Sequence, residues 1–391
     1  MQSPLDLTVR VEFPYRLHFT CKAFAPDNTD LLRTLDQNDS GATKALFLIE
    51  QGMRAATPEL EQQIKEWFAH HCPGISLRGI HYLAGGEVCK GSLHVLKESL
   101  QYLADSGIDR HSYLIAIGGG AFLDVVGLAA ALAHRGVRLV RMPTTTLSQG
   151  DSGVGVKNGI NFAGQKNYLG SFAVPWATIN DSAFLESLPP SIAREGLAEA
   201  VKVAVVKDTA FFEMIERNIA GIASLEPKII NEIVTASAIL HARHIAESGD
   251  AFEQGTSRPL DFGHWSAHYL ESMSGYSLSH GQAVSIGLCL DLLYSVRKGW
   301  LESGQANRII RILQAIGLPL SHPLMGRQQK DKTFELLNGI DAFREHLGGE
   351  LTILMVKRIG FGEDIHEIDR ELMSSCIRET ICGTLHPLLE S

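Results

Sequence analysis

The stretch that decides the fold is Ile115-Ala116-Ile117-Gly118-Gly119-Gly120-Ala121-Phe122-Leu123-Asp124. It predicts a buried strand that breaks into three glycines, Gly118, Gly119 and Gly120, before a helix carrying Asp124 begins. Glycines at such a turn let backbone amides approach a phosphate group, and the start of the helix adds partial positive charge. A plain tight turn is the alternative interpretation, because the spacing differs from the usual Gly-x-Gly-x-x-Gly.

Strands and helices alternate outward from this stretch. Strands are predicted at 45–49, 79–83, 113–117, 137–142 and 176–180, and amphipathic helices at 58–70 and 91–104. This alternation is typical of a parallel sheet flanked by helices. Two further features fit a dinucleotide site: Glu50 ends the first strand, where an acidic side chain can bind ribose hydroxyls, and Glu87 and Lys90 follow the second strand.

The second half of the chain has a different pattern. After Leu188-Pro189-Pro190 helical periodicity takes over, and only 351–356 is predicted as a later strand. We therefore predict an α/β nucleotide-binding domain over residues 1–188 and a mostly α-helical domain over residues 189–391. Two domains also suit a length of 391 residues.

Composition limits the classes of partner. With 45% hydrophobic and 20% charged residues, the chain has the balance of a globular protein. A formal charge of -9 argues against nucleic acid or an anionic membrane as the main partner. The first residues lack a secretory signal pattern, so we expect a cytoplasmic protein. The six cysteines form no Cys-x-x-Cys pair, so neither a disulfide framework nor a thiolate metal site is predicted.

A polar loop follows the fourth predicted strand. It contains Thr144, Thr145 and Asp151, and Lys157, Lys166 and Asn167 come after it. A lone lysine is usually a solvated surface charge, but lysines gathered on a glycine-rich loop are natural phosphate contacts. The cluster therefore favours a loop that holds a polar, phosphorylated ligand.

The helical half carries potential metal ligands. Glu199 and Lys202 lie three apart on one predicted helix, which is also the spacing of an ordinary surface ion pair. His264 and His268 are four residues apart, and His280 follows. One carboxylate and two imidazoles with open positions are typical of catalytic zinc, although an isolated histidine pair is more often structural.

These motifs together resemble the 3-dehydroquinate synthase family, the sugar phosphate cyclases. The resemblance runs from about residue 45 to residue 360, and six motifs occur in the family's order. The matching residues are Gly118 to Gly120 with Asp124, Arg135 to Arg138, Thr144, Thr145, Asp151, Lys157, Lys166, Asn167, Leu197 to Lys202, His264, His268 and His280.

The resemblance implies two cofactors. A divalent metal, zinc or cobalt, would be bound by Glu199, His264 and His280. NAD would lie in the first domain. The residues expected at NAD are Glu50, Glu87, Lys90, Gly118, Gly119, Gly120, Asp124, Thr144, Thr145 and Lys166.

The resemblance also implies substrate contacts and a reaction. Lys157, Asn167 and His268 are expected at the phosphate, with Arg135 reaching in from a neighbouring subunit, which implies a homodimer. Asp151 and Lys202 are expected to hold substrate hydroxyls, and Asp151, Lys202, His268 and Lys157 are the expected catalytic residues. NAD would oxidise one alcohol, phosphate would leave by elimination, and the hydride would return before an intramolecular aldol closes the ring. The enzyme would thus be a redox-neutral carbon-oxygen lyase.

The sequence departs from dehydroquinate-forming members beside the metal motif. Their asparagine is replaced by Asp261, their arginine is displaced to Arg258, and a lysine expected at the substrate carboxylate aligns with His241, or else with Arg243. A carboxylate facing Asp261 would meet like charge, whereas a hydroxymethyl group could donate a hydrogen bond. We therefore expect an uncarboxylated substrate, as sedoheptulose 7-phosphate is in the 2-epi-5-epi-valiolone branch. Retention of His268 suggests a side branch that serves secondary metabolism.

Three alternatives stay open at this point. The first is 3-dehydroquinate synthase proper. The second is a metal-dependent polyol or alcohol dehydrogenase, which would release NADH. The third is a scaffold without catalytic activity.

Overall fold

A computed structural model describes residues 5–35, 43–163, 165–252, 260–346 and 349–383. Its first half is built on a six-stranded parallel sheet of β1 (Leu17–Thr20), β2 (Lys44–Glu50), β3 (Ser76–Leu83), β4 (Tyr113–Gly118), β5 (Arg138–Pro143) and β8 (Ala177–Asp181). Their order across the sheet is β1-β8-β5-β4-β2-β3. A separate antiparallel hairpin is formed by β6 (Lys157–Phe162) and β7 (Gln165–Phe172). Apolar side chains cover both faces of the large sheet, as a parallel sheet requires.

Helices flank the sheet and make up most of the second half. In the first half they are α1 (Met53–Ala56), α2 (Leu60–His71), α3 (His94–Asp105), α4 (Gly120–Leu132) and α5 (Ala183–Glu186). In the second half they are α6 (Pro190–Lys207), α7 (Thr209–Arg217), α8 (Ile219–Ala223), α9 (Pro227–Glu247), α10 (His264–Met273), α11 (His280–Arg297), α12 (Ser303–Ile316), α13 (Asn338–His346) and α14 (Arg370–Ile381). These helices enclose one apolar core around α6 and α11.

The predicted fold class is confirmed. All five strands predicted in the first half occur within a few residues of their predicted bounds, as do the two predicted helices. The predicted late strand is present as β9 (Ile353–Arg358), but it is not alone in the second half, because it pairs with β10 (Phe361–Ile365). The division at residues 188 and 189 stays a prediction; β8 ends at Asp181 and α6 begins at Pro190.

The sheet directs its functional loops to one edge. Because all six strands are parallel, their carboxyl ends share that edge, where ligands bind in open α/β sheets. Glu50 ends β2, and Gly118 at the end of β4 is paired with Pro143 at the end of β5. Within the described residues no helix has the length and apolarity needed to cross a membrane.

Two glycines bring the start of α10 against α11. Gly263 has a φ of 77°, a left-handed conformation that favours glycine. A Cβ on Gly287 would lie 2.0 Å from the Gly263 carbonyl oxygen, which is backbone and cannot move aside cheaply. This close approach positions His264, the first residue of α10.

We expect Gly287→Ala to lower the free energy of unfolding by about 1–3 kcal/mol, since an added methyl group must push two backbones apart. Gly304→Ala is the matched control, because a Cβ at Gly304 in α12 meets nothing within 4 Å. The free energy of unfolding of Gly304→Ala should be unchanged or higher by up to about 1 kcal/mol. Urea unfolding at constant m value measures both, and equal stabilities for the two variants would contradict the packing argument.

Candidate active site

Three helices bring together one carboxylate and two imidazoles. Glu199 on α6 is only 1% exposed, and its Oε1 lies 3.2 Å from Nε2 of His280 and 3.4 Å from Nε2 of His264. Two atoms bound to one tetrahedral zinc at about 2.1 Å are about 3.4 Å apart. The three side chains therefore have the chemistry and the spacing of a divalent metal site.

The two rings are oriented so that both present Nε2. Nδ1 of His264 lies 3.0 Å from the carbonyl oxygen of Phe262, to which a protonated Nδ1 donates a hydrogen bond. Nδ1 of His280 lies 3.4 Å from Oε1 of Glu271. The hydrogen bond at His264 selects the tautomer in which Nε2 carries the free lone pair, as metal-bound histidines commonly require.

Glu271 is a residue of the site that the sequence analysis missed. Its buried carboxylate lies 3.0 Å from Nδ1 of His268 and 2.9 Å from Nζ of Lys166, as well as beside His280. Burial acts to raise the pKa of Glu271, but His280, His268 and Lys166 outweigh it and hold that pKa far below its usual range. The available signal was its spacing, three residues after His268 and seven after His264 on one helix face.

A second charged group adjoins the candidate metal ligands. Lys202 forms an ion pair with Glu199, one turn earlier on α6. Burial acts to lower the pKa of Lys202, but Glu199, Asp151 and Asp261 raise it overall, so the ammonium stays charged. Nδ1 of His241 on α9 lies 2.8 Å from Oδ1 of Asp151. Burial acts to raise the pKa of Asp151, and His241 lowers it overall.

The glycine turn lies at the carboxyl edge of the sheet with Glu50. The Glu50 carboxylate accepts hydrogen bonds from the amides of Gly119 at 2.6 Å and Gly86 at 2.8 Å. A Cβ on Gly118 would lie 2.6 Å from the Phe122 ring and 2.9 Å from Glu50, so a side chain there has no room. The arrangement leaves backbone amides and an acidic side chain at the end of two adjacent strands, as a dinucleotide requires.

The other residues predicted at the cofactor surround this turn. Lys90 pairs with Asp124 at 2.7 Å, and the amide of Thr144 donates to the carbonyl of Gly118 at 3.1 Å. Thr145 is hydrogen-bonded to Ser148 in the next turn of the loop. Burial acts to lower the pKa of Lys166, but Glu271 and then Glu87 raise it overall.

The hairpin β6–β7 supplies the remaining polar residues. Lys166 reaches Glu271, so its ammonium lies beside the histidine cluster, while Lys157 and Asn167 are exposed on the hairpin. We expected these residues on a glycine-rich loop, whereas they belong to two paired strands.

Arg135 lies away from the glycine turn. It is exposed and precedes β5, so it lies at the amino edge of the sheet, opposite the glycine turn. Arg258 lies outside the described residues.

Comparison with known proteins agrees with this geometry. Residues 80–195 match a family model described as 3-dehydroquinate synthase N-terminal, and residues 196–339 match one described as 3-dehydroquinate synthase C-terminal. A 3-dehydroquinate synthase from Pseudomonas aeruginosa (strain UCBPP-PA14) is 34% identical over 286 residues, which are 72% of this chain and 76% of that protein. The chain belongs to the 3-dehydroquinate synthase family. The family predicted from the motifs is thereby confirmed.

Solved structures of other enzymes share the fold of this chain. A 2-epi-5-epi-valiolone synthase from Streptomyces hygroscopicus subsp. jinggangensis 5008, with NAD+ and Zn2+ bound, superposes with a TM-score of 0.84 at 24% identity, covering 97% of this chain and 100% of that one. A 2-deoxy-scyllo-inosose synthase complexed with carbaglucose-6-phosphate, NAD+ and Co2+ gives 0.74 at 19% identity, covering 93% and 96%. Proteins with this fold thus carry different activities in their names.

We expect Glu271→Gln to weaken zinc binding by about 10- to 100-fold, because the amide loses the charge that holds His280 and Lys166. Calorimetric titration of the metal-free protein with zinc measures this change. Glu213→Gln, at an exposed position on α7, is the control and should bind zinc like the wild type. Undiminished affinity in Glu271→Gln would contradict an orienting role for this carboxylate.

Proposed function

We propose that this protein is a sugar phosphate cyclase that converts an uncarboxylated seven-carbon sugar phosphate, such as sedoheptulose 7-phosphate, into a carbocycle with loss of phosphate. The observation that carries the proposal is the convergence of Glu199, His264 and His280 beside a buried, charged Lys202. Asp261, whose charge acts on the same lysine, supports the choice of substrate.

Metal and NAD both have suitable residues in this chain. We assign a divalent cation, zinc or cobalt, to Glu199, His264 and His280, and NAD to the glycine turn with Glu50. When bound, the metal supplies Lewis acidity to a substrate hydroxyl and NAD accepts and returns one hydride. The similar valiolone and inosose synthases, which contain NAD+ with Zn2+ or Co2+, support this assignment.

Charged side chains beside the metal ligands would hold the substrate hydroxyls. The Lys202 ammonium, kept protonated by three carboxylates, donates hydrogen bonds from Nζ to a substrate oxygen. The Asp151 carboxylate accepts one from a hydroxyl, and His241 fixes its direction. Both groups are held by ion pairs before substrate arrives, so little reorganisation is needed on binding.

The phosphate of the substrate would lie under the hairpin. Lys157 and Asn167 on the hairpin and His268 on α10 are the proposed contacts within one chain. Arg135 lies at the amino edge of its own sheet, on the opposite side from the proposed phosphate site. We therefore propose that a second subunit supplies this arginine in a homodimer.

Local charge favours a neutral group where related enzymes bind a carboxylate. His241 contacts Asp151 and is therefore not available to a substrate carboxylate. Asp261 adds a further negative charge near Lys202. A substrate carboxylate would face these acids at close range, which is unfavourable in a closed cleft. A hydroxymethyl group can instead donate a hydrogen bond to Asp261.

A second candidate is 3-dehydroquinate synthase itself. It is favoured by the Pseudomonas aeruginosa relative that carries this name. The two candidates differ in one substrate group, so one assay separates them.

Purified protein with NAD+ and zinc is expected to release inorganic phosphate from sedoheptulose 7-phosphate without net formation of NADH. The carboxylated heptulosonate 7-phosphate is the comparison substrate, and phosphate and NADH are both measured. Turnover of the carboxylated compound alone would refute the proposed substrate. Accumulation of NADH with a simple polyol would instead indicate a dehydrogenase.

We expect Asp261→Asn to shift the ratio of kcat/KM values toward the carboxylated substrate by about 10-fold or more, since removal of one like charge is worth about 1.4 kcal/mol or more. Asp331→Asn, on an exposed loop, is the control and should leave the ratio unchanged. An unchanged ratio in Asp261→Asn would show that this carboxylate does not select the substrate.

A further inference from the structure

A buried arginine holds the segment of residues 148–158, which leads from the loop after β5 into β6. Arg141 on β5 is fully buried, and its guanidinium donates hydrogen bonds to the backbone of this segment. The acceptors are the carbonyl oxygens of Ser152 at 3.5 Å, Gly153 at 3.3 Å, Gly155 at 2.7 Å and Lys157 at 3.0 Å, and Oδ1 of Asn158 at 2.6 Å. One side chain therefore fixes the path of the backbone from residue 152 to residue 158.

The chemistry of Arg141 suits this role better than a role in stability alone. All of its described hydrogen-bond acceptors are uncharged, and a buried charge whose hydrogen bonds go to uncharged groups is costly to desolvate. A guanidinium, however, carries its donors in a rigid planar fork. It can therefore bind several carbonyl oxygens at once in one geometry, which a single ammonium or amide cannot do.

The segment contains the carboxylate that the proposed function places at a substrate hydroxyl. Residues 148–152 form a single π turn that carries Asp151, and such turns occur often at functional sites. The backbone carbonyl of Asp151 accepts hydrogen bonds from the amides of Val154 at 3.0 Å and Gly155 at 3.1 Å. The carbonyl of Gly155 is in turn held by Arg141. A single residue thus connects the guanidinium to the backbone of Asp151.

The π turn also lies against the glycine turn. Ser152 follows Asp151, and a Cβ on Gly120 would be 2.2 Å from Oγ of Ser152. Gly120 is the first residue of α4, at the place where the proposed function assigns NAD. A displaced segment would therefore alter the substrate contact and one wall of the cofactor site together.

We propose that Arg141 is a positioning residue, whose guanidinium holds residues 148–158 in the conformation that directs Asp151 toward the substrate. Because Arg141 is fully buried, it acts through the backbone of the segment and not by contact with a ligand. The catalytic consequence rests on the proposed function, whereas the ordering of the segment by Arg141 does not.

Arg141→Lys keeps the charge but loses the fork, so it cannot hold Gly155 and Asn158 together. We expect kcat/KM for the sugar phosphate to fall about 10- to 100-fold, mainly through kcat, since a misplaced group acts on the transition state. Zinc affinity should change less than about 3-fold, because the candidate ligands lie on α6, α10 and α11. Steady-state kinetics and calorimetric titration measure these quantities.

Ile64→Ala is the matched control for a loss of stability. Ile64 is fully buried on α2, so its truncation should lower the thermal midpoint while leaving kcat and KM as in the wild type. A kcat/KM loss in Arg141→Lys no larger than that in Ile64→Ala would show that the arginine is merely structural, which overturns the proposal.

Hydrogen exchange tests the proposal without substrate. Amides of Val154 and Gly155 are expected to exchange about 10-fold or more faster in Arg141→Lys than in the wild type, since hydrogen bonds from a charged donor are lost beside them. Amides of α6 should keep their wild-type rates. Wild-type exchange at Val154 and Gly155 in the folded variant would overturn the proposal. A wild type that turns over none of the sugar phosphates would count against the proposed function alone, because exchange still decides this proposal.

Asn158→Ala provides the test if Arg141→Lys does not fold. It removes the acceptor that lies 2.6 Å from Nη2 and leaves the arginine in place. We expect exchange at Val154 and Gly155 to rise about 3-fold or more, in the same direction as for the arginine variant. In that case, wild-type exchange in Asn158→Ala would overturn the proposal.

Discussion

The buried carboxylate of Glu199 is the group around which the rest of the site is arranged. A carboxylate that is 1% exposed is costly unless opposite charge and hydrogen-bond donors surround it. Lys202, His264 and His280 supply these partners from three helices. The partners that offset the cost of burying Glu199 also form, with it, a set of ligand atoms suited to a divalent cation. The stability of the fold and the chemistry of the candidate site therefore depend on the same cluster.

Contacts between the two halves of the molecule complete the site. α6 lies directly against the loop after β5, because a Cβ on Gly196 would be 2.2 Å from the amide nitrogen of Leu147. Ion pairs then cross the same boundary, from His241 to Asp151 and from Lys166 to Glu271. Polar contacts therefore join the two halves at the candidate site.

Sequence patterns predict the local structure correctly where the residue types strongly prefer one backbone conformation or one degree of burial. Buried strands such as Tyr113–Gly118 are continuous apolar runs, and the glycine turn follows directly from its composition. The hairpin, β1 and β10 were not predicted. Their residues are partly exposed and mixed in polarity, so they form strands through pairing with a neighbour and have no apolar run of their own. Glu271 was missed for a related reason: a glutamate on a helix is ordinarily solvated, and only packing buried this one.

By itself, the sequence determined the parallel α/β class of the first half, the helical second half, the family, and the candidate ligands Glu199, His264 and His280. These features depend on local pattern and on motif spacing, which the linear chain records. Only the tertiary structure decided that Glu271 joins Lys166 to the histidines and that His241 lies against Asp151. Such relations join residues far apart in the chain, and the helix and strand directions that fix them are set by packing of the whole core.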